Sequence, residues 1–214
     1  MVYLHPPTIS SGDVAALNAY VENLSNIPIS GFNLDEQKAF WINLYNALTV
    51  KVVLAAYPVK STRDIAVSPG LFARGPRGKK LIEIEGKAVG LNDIKHRILR
   101  PIWRDPRLHY ALNCAAIGCP NLRNEVFTSS NTESLLEAAA RDYVNNPRGA
   151  NIFDKTLTVS SIYVWFAEDF GKSDAVIITH LRRYAEAELL EKLAGIDAIG
   201  GMAYNWGLND APNF

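Results

Sequence analysis

The residues best equipped for chemistry fall in one run, His109-Tyr110-Ala111-Leu112-Asn113-Cys114-Ala115-Ala116-Ile117-Gly118-Cys119-Pro120. A thiol acts as a nucleophile as its thiolate, which at neutral pH needs a neighbouring base or positive charge. In this run Cys114 can supply the nucleophile and His109 the base, with Asn113 orienting the imidazole. If residues 108–113 form a strand, alternation sends Ala111 and Asn113 to the face of His109 and Cys114 to the other. A strand end at Asn113 relaxes that rule and lets Cys114 turn toward His109. Plainer readings stand beside the catalytic pair. Cys114 and Cys119 can close a disulfide across a turn containing Gly118, or pack as reduced, small hydrophobes. His96, His109, Cys114 and Cys119 are ligand types, but their spacing matches no common zinc pattern, so neither a metal nor another cofactor is expected.

A second polar group lies on what reads as a buried helix. Asn43 and Asn46 are three residues apart and therefore share a face. Two amides in so apolar a segment must find hydrogen-bond partners, either by tying down neighbouring backbone or by lining a cleft. His96, with Asp93 one turn earlier, either joins that cleft or sits at the surface. Binding roles are thus expected for Asn43, His96 and Asn113, and Asn46 is a candidate orienter or oxyanion donor. Other signals fade on inspection. Gly171-Lys172-Ser173 resembles the end of a phosphate-binding loop, but Phe166 occupies the position of its first glycine. Arg74, Arg77, Lys79 and Lys80 read as a solvated loop rather than an anion site. Tyr163, Trp165, Phe166 and Phe170 read as core, and Tyr204 and Trp206 as packing that anchors the tail.

The elements that must hold these groups follow from periodicity. Residues 13–24 form a short helix with Val14, Leu17, Val21 and Leu24 on one stripe. Asn33 caps the next helix with Glu36 three residues on; Phe40, Trp41, Leu44, Tyr45, Leu48 and Val52 extend it, and Pro58 stops it. Residues 69–80 are loop-like, and residues 81–89 a hairpin turning at Gly86-Lys87. Helices are expected from Asn92 to before Pro101, from Ser130 to about Val144 and over residues 161–170 with Gly171 as cap, and a long one over residues 173–193. A second hairpin turns at Asp154-Lys155. The pattern is α+β: a mostly helical single domain with a small, short-stranded sheet.

Composition sets outer limits. The 214 residues carry 22 Lys+Arg against 22 Asp+Glu, are 48% hydrophobic and 21% charged. Balanced charge argues against a general nucleic-acid binder, which needs an excess of basic residues. A chain of this size buries roughly 70% of its unfolded surface and needs no staple to fold. The apolar stretch of residues 48–56 is too short for a membrane span and contains Lys51, and residues 1–7 carry no signal-peptide pattern.

Several of these runs together resemble the domain of unknown function 547 family. They are residues 40–49 (FWINLYNALT), 57–61 (YPVKS), 105–114 (DPRLHYALNC) and 118–120 (GCP), with Ser160, Trp165-Phe166, Asp169-Phe170-Gly171 and Trp206-Gly207-Leu208-Asn209. The resemblance spans about residues 33–209, leaving residues 1–32 as an arm with a short helix and 210–214 as a tail. It implies a bacterial protein exported to the periplasm or beyond, with a cytoplasmic location as the alternative. Plant relatives carry the domain after leucine-zipper segments, and other relatives join it to signalling or glutaredoxin-like modules. Relatives often carry Glu where this chain has Lys95, which weakens an essential acid/base role for His96. A buried helix followed by a segment starting near a His is also similar, in layout alone, to papain-like and transglutaminase-like proteins. The leading expectation is a cofactor-independent thiol hydrolase or acyltransferase using Cys114, His109 and Asn46. The alternative is a noncatalytic module, stapled by Cys114–Cys119, that binds a small molecule or peptide. No nucleic-acid partner and no membrane span are expected, and no oligomeric state is implied.

Overall fold

Helix α2 (Leu34–Ala56) begins as its capping residues dictate in this computed structural model, which describes residues 9–65 and 79–210. Asn33 Oδ1 accepts from the backbone N–H groups of Asp35 and Glu36 at 3.0 Å each, and Glu36 Oε2 accepts from the Asn33 N–H at 3.0 Å. This reciprocal box satisfies N–H groups that a helix start otherwise leaves without partners. Phe40, Trp41, Ile42, Leu44, Tyr45, Leu48 and Val53 are all buried, so the helix is wrapped on most of its circumference. By length and apolarity alone α2 could cross a membrane; here the core takes up that apolar surface. α1 (Ser11–Ser25) packs on it through Val21 and Leu24.

Two hairpins form with the turn chemistry their sequences offer. β1 (Ile82–Ile84) and β2 (Lys87–Val89) pair antiparallel around Glu85-Gly86, both at positive φ. The turn thus sits one residue earlier than the sequence predicts, because the φ > 0 pair of a two-residue turn ends on the glycine. β3 (Ala150–Phe153) and β4 (Thr156–Ser160) pair around Asp154-Lys155, as expected. β5 (Gly201–Ala203) adds in parallel to β4, giving sheets of two and three strands in a mostly helical α+β fold.

Three expectations need correction. Residues 108–113 are not a strand: Leu108–Ala111 is a helical turn, α4, followed by extended Leu112. Asp105 Oδ1 accepts from the Arg107 N–H at 2.9 Å and Pro106 enters at the start, a pairing that favours helix initiation. The helix near His96 does not stop at Pro101. A π-helical stretch (Asp93–Leu99) runs without a break into α3 (Arg100–Trp103), so Pro101 lies inside one helical run, which gives up one intrahelical N–H bond there and carries its irregular π register just ahead of the proline. The single long helix of residues 173–193 is two, α8 (Asp174–Tyr184) and α9 (Ala187–Lys192). Asn145 takes up the backbone at the break, donating to the Tyr184 carbonyl at 2.9 Å and accepting from the Glu186 N–H at 2.7 Å.

α5 (Thr132–Val144) starts close to its expected position, and α6 (Ser161–Trp165) and α7 (Ala167–Phe170) divide the expected 161–170 helix before Gly171. One core gathers α1, α2, the first hairpin and the π-helical stretch; another gathers α5, β3, β4 and α6–α8. α4 and α5 join them, since Leu108, Leu135 and Leu136 lie in the first and Tyr110, Ala139 and Tyr143 in the second. Of the basic run, Arg74 and Arg77 lie outside the described residues, while Lys80 pairs with Asp93 at 2.7 Å.

Candidate functional site

The segment after α4 is fixed before any chemistry begins. Asn46, from α2, donates to the Ala111 carbonyl at 2.9 Å and accepts from the Asn113 N–H at 2.9 Å. Asn43 makes the same two-way clamp on Phe127, at 2.7 and 3.0 Å. Both amides therefore tie down backbone, which is how buried amides are usually satisfied. Asn113 donates to the Pro120 carbonyl and accepts from the Ala115 N–H, each at 2.7 Å, closing the loop on itself. Cys114 and Cys119 are joined by a disulfide across that loop, with Cα atoms 6.0 Å apart. Tyr204 places its hydroxyl on both sulfurs, 3.1 Å from Cys114 Sγ and 3.2 Å from Cys119 Sγ. Cys119 Sγ also accepts from the Cys114 N–H at 2.9 Å.

His109, on α4, is 2% exposed and turns Nε2 toward Asp169 Oδ2 at 2.6 Å. Asp169 sits at the end of α7, which Gly171 closes at φ +100°, where an added Cβ would run into Val176. Arg100 grips both oxygens of the carboxylate, through Nε to the same Oδ2 at 2.5 Å and through Nη2 to Oδ1 at 3.0 Å, and Arg100 Nη1 reaches His96 Nδ1 at 3.0 Å. Phe166 lies at the centre: His109 stacks on it at 4.2 Å between ring centroids, His96 at 5.8 Å, and Lys95 Nζ stands 4.5 Å from its centroid.

This array assigns the protons. Burial on its own would raise the Asp169 carboxyl, but hydrogen bonds from His109 and Arg100 outweigh it and hold the group well below the usual carboxylate range. An ionised carboxylate only accepts, so Nε2 of His109 carries its hydrogen. Burial, with the charges of Lys95 and Arg100, pushes His109 down to about 3 against the pull of Asp169. The imidazole is therefore neutral, and its Nδ1 is a lone-pair acceptor with no hydrogen-bond partner among the described residues. Arg100 only donates, so His96 Nδ1 accepts and the hydrogen of His96 is on Nε2.

His109, His96, Cys114 and Cys119 line one cavity of about 40 Å3, closed further by Phe166 and Trp165, Tyr204 and Trp206. That is room for about one water-sized group. Among the described residues no group of His, Cys, Asp or Glu is placed to hold a metal ion. The structure thus brings together His96, His109, Cys114 and Cys119 and sets Asn46 and Asn113 behind them as supports. Asn43 instead clamps the loop at Phe127 and borders a separate groove with Leu17 and Tyr20. Asp169, Arg100 and Tyr204 escaped sequence reasoning as site residues. Arg100 had a usable signal, four residues after His96 and so on the same helical face; Asp169 is 60 residues from His109 and had none in its spacing.

Fold and site together define a mostly helical α+β protein in which a buried His109, paired with a half-buried Asp169, shares a cavity with a disulfide. The chain belongs to the family described as Protein of unknown function, DUF547, whose profile matches residues 29–144. No curated protein and no solved structure matches the chain.

Proposed function

We propose that this cavity is the active site of a thiol-dependent hydrolase or acyltransferase for an amide or ester, working when the Cys114–Cys119 pair is reduced. The observation that carries the reading is the 2.6 Å bond from His109 to Asp169, which leaves a neutral imidazole on a cavity lined by both sulfurs. Nucleophile, base and orienting acid is the constellation that covalent acyl transfer requires. His109 takes the proton of the Cys114 thiol, and the thiolate adds to the carbonyl carbon. The C–N or C–O bond then breaks as the leaving group takes that proton from the imidazolium. Water, or another acceptor, reverses the steps and releases the acyl group. The thiolate's own negative charge, formed beside His109, raises the proton affinity that burial depresses. His96 Nε2–H is a donor for the carbonyl oxygen, while Asn46 and Asn113 serve as positioning residues. An oxidising, extracytoplasmic setting favours the disulfide form, so there the thiol form depends on a reductant that opens the Cys114–Cys119 bond.

The disulfide also favours a second reading, a noncatalytic ligand-binding module that the Cys114–Cys119 bond staples. One experiment separates the two. Protein reduced under native conditions is mixed with p-nitrophenyl acetate, and the intact mass is followed. The proposal expects an acyl adduct on Cys114 that forms roughly 100-fold or more faster in the wild type than in His109→Ala, the usual scale of base catalysis. Equal rates would remove the base, and no adduct would leave the binding module.

A further inference from the structure

The hydrogen bonds around Cys114 and Cys119 exceed what a structural staple needs. The loop is already closed without the sulfurs: Asn113 ties Pro120 to Ala115, the Cys119 N–H donates to the Ala116 carbonyl at 2.9 Å, and Tyr143 donates to the Gly118 carbonyl at 2.7 Å. It is also pinned to the C-terminal segment, where the Ile117 and Gly118 N–H groups donate to Gly207 and Asn205 carbonyls and the Asn209 N–H to Ala115. A disulfide stabilises chiefly by restricting the unfolded chain, least so for a short loop, and this one closes over a separation of only 5. The sulfurs themselves are unlike each other. Both border the cavity and both lie within reach of the Tyr204 hydroxyl, but Cys119 is 2% exposed and alone accepts from the Cys114 N–H, whereas Cys114 is half-buried and the more accessible.

From this asymmetry we infer that Cys114–Cys119 is a redox-active disulfide that exchanges with dithiols, attacked at Cys114 and stabilised, on opening, as a Cys119 thiolate held by Tyr204 and the Cys114 N–H. Exchange rates depend on which sulfur can be reached and on how well the departing thiolate is stabilised, and here the two features fall on different sulfurs as the reaction requires. A thiolate of the dithiol bonds to Cys114 Sγ, the Cys114–Cys119 bond breaks, and its electron pair goes to Cys119. The second thiolate of the dithiol attacks the mixed disulfide and releases Cys114 as a thiolate. Both cysteines end protonated or poised as thiolates, and the dithiol is oxidised to a disulfide by two electrons. This chemistry stands without acyl transfer, although the reduced form it makes is the one acyl transfer uses.

The test needs no acyl substrate, so its failure is distinct from failure of the hydrolase reading. Native protein is exposed to dithiothreitol without denaturant, alkylated at intervals with iodoacetamide and weighed intact, while far-ultraviolet circular dichroism follows the fold. Two alkylated cysteines are expected with the helical signal retained, and reduction roughly fivefold or more slower in Tyr204→Phe. A thiol-reactive aromatic disulfide should label Cys114 in Cys119→Ser faster than Cys119 in Cys114→Ser. Thiols that appear only in denaturant, loss of the helical signal on reduction, or an unchanged rate in Tyr204→Phe would each overturn the inference.

Discussion

The proton on His109 is placed by its neighbours, and that placement is what suits the imidazole to act as a base. Asp169 is ionised because Arg100 and His109 both donate to it, so Nε2 must be the protonated nitrogen and Nδ1 the open one. Asp169→Asn exchanges an obligate acceptor for an amide that can present either end, and the imidazole loses its fixed tautomer. Acylation of the reduced protein should then fall roughly 10- to 100-fold with the fold intact, measured as the p-nitrophenolate burst. Little of this was legible beforehand. His109 and Cys114 drew attention through residue type, but the partner of His109 arrives from a different helix, and the Cys114 sulfur is bonded to Cys119. Phe166 was assigned to the core by composition, although it stacks on both histidines.

At the scale of elements, α2 supplies the support and the short α4 supplies His109, the proposed base. Asn46 carries two buried backbone groups of the segment that follows His109. Removing its amide in Asn46→Ala leaves the Ala111 carbonyl and the Asn113 N–H without that partner, at a cost of about 1–3 kcal/mol for each group left unmade. Urea unfolding should report a total loss of roughly 2–5 kcal/mol, against well under 1 kcal/mol for an exposed change such as Glu22→Ala. The caps and tight turns of this fold were readable because their cause is local: Asn33 with Glu36, and Asp154-Lys155 between two alternating segments. Four residues carry too little periodicity to tell the helical turn α4 from a strand, and its start is marked only by Asp105-Pro106. The break between α8 and α9 depends on Asn145, about 40 residues away in sequence, and no window over residues 173–193 contains it.

Across the whole molecule, two cores meet at α4 and α5, and two depressed histidines lie against Phe170 of the second. His109 is pushed to about 3, and His180, bonded to the Tyr110 hydroxyl at 2.7 Å, is pushed by burial and by Arg183 to about 4. In the unfolded chain both return to about 6.5. Between those values the unfolded state binds more protons than the native one, so stability is full above about pH 6.5 and is lost as pH falls below it. Each histidine should remove roughly 2 kcal/mol between pH 7 and pH 5, a decline that urea unfolding at the two pH values would register before ordinary carboxylates titrate. The α+β class and the helical majority were legible from periodicity alone. The site was not, because it is assembled from α3, α4, α7 and the segment after β5, which only tertiary packing brings together.

The most direct test of the central claim, that His109 activates Cys114, is the pH profile of Cys114 alkylation by iodoacetamide in the Cys119→Ser protein. A thiolate already reactive below the ordinary thiol range near pH 8.5 is expected, with a profile that moves back to that range in His109→Ala. Superimposable profiles for the two proteins would contradict it.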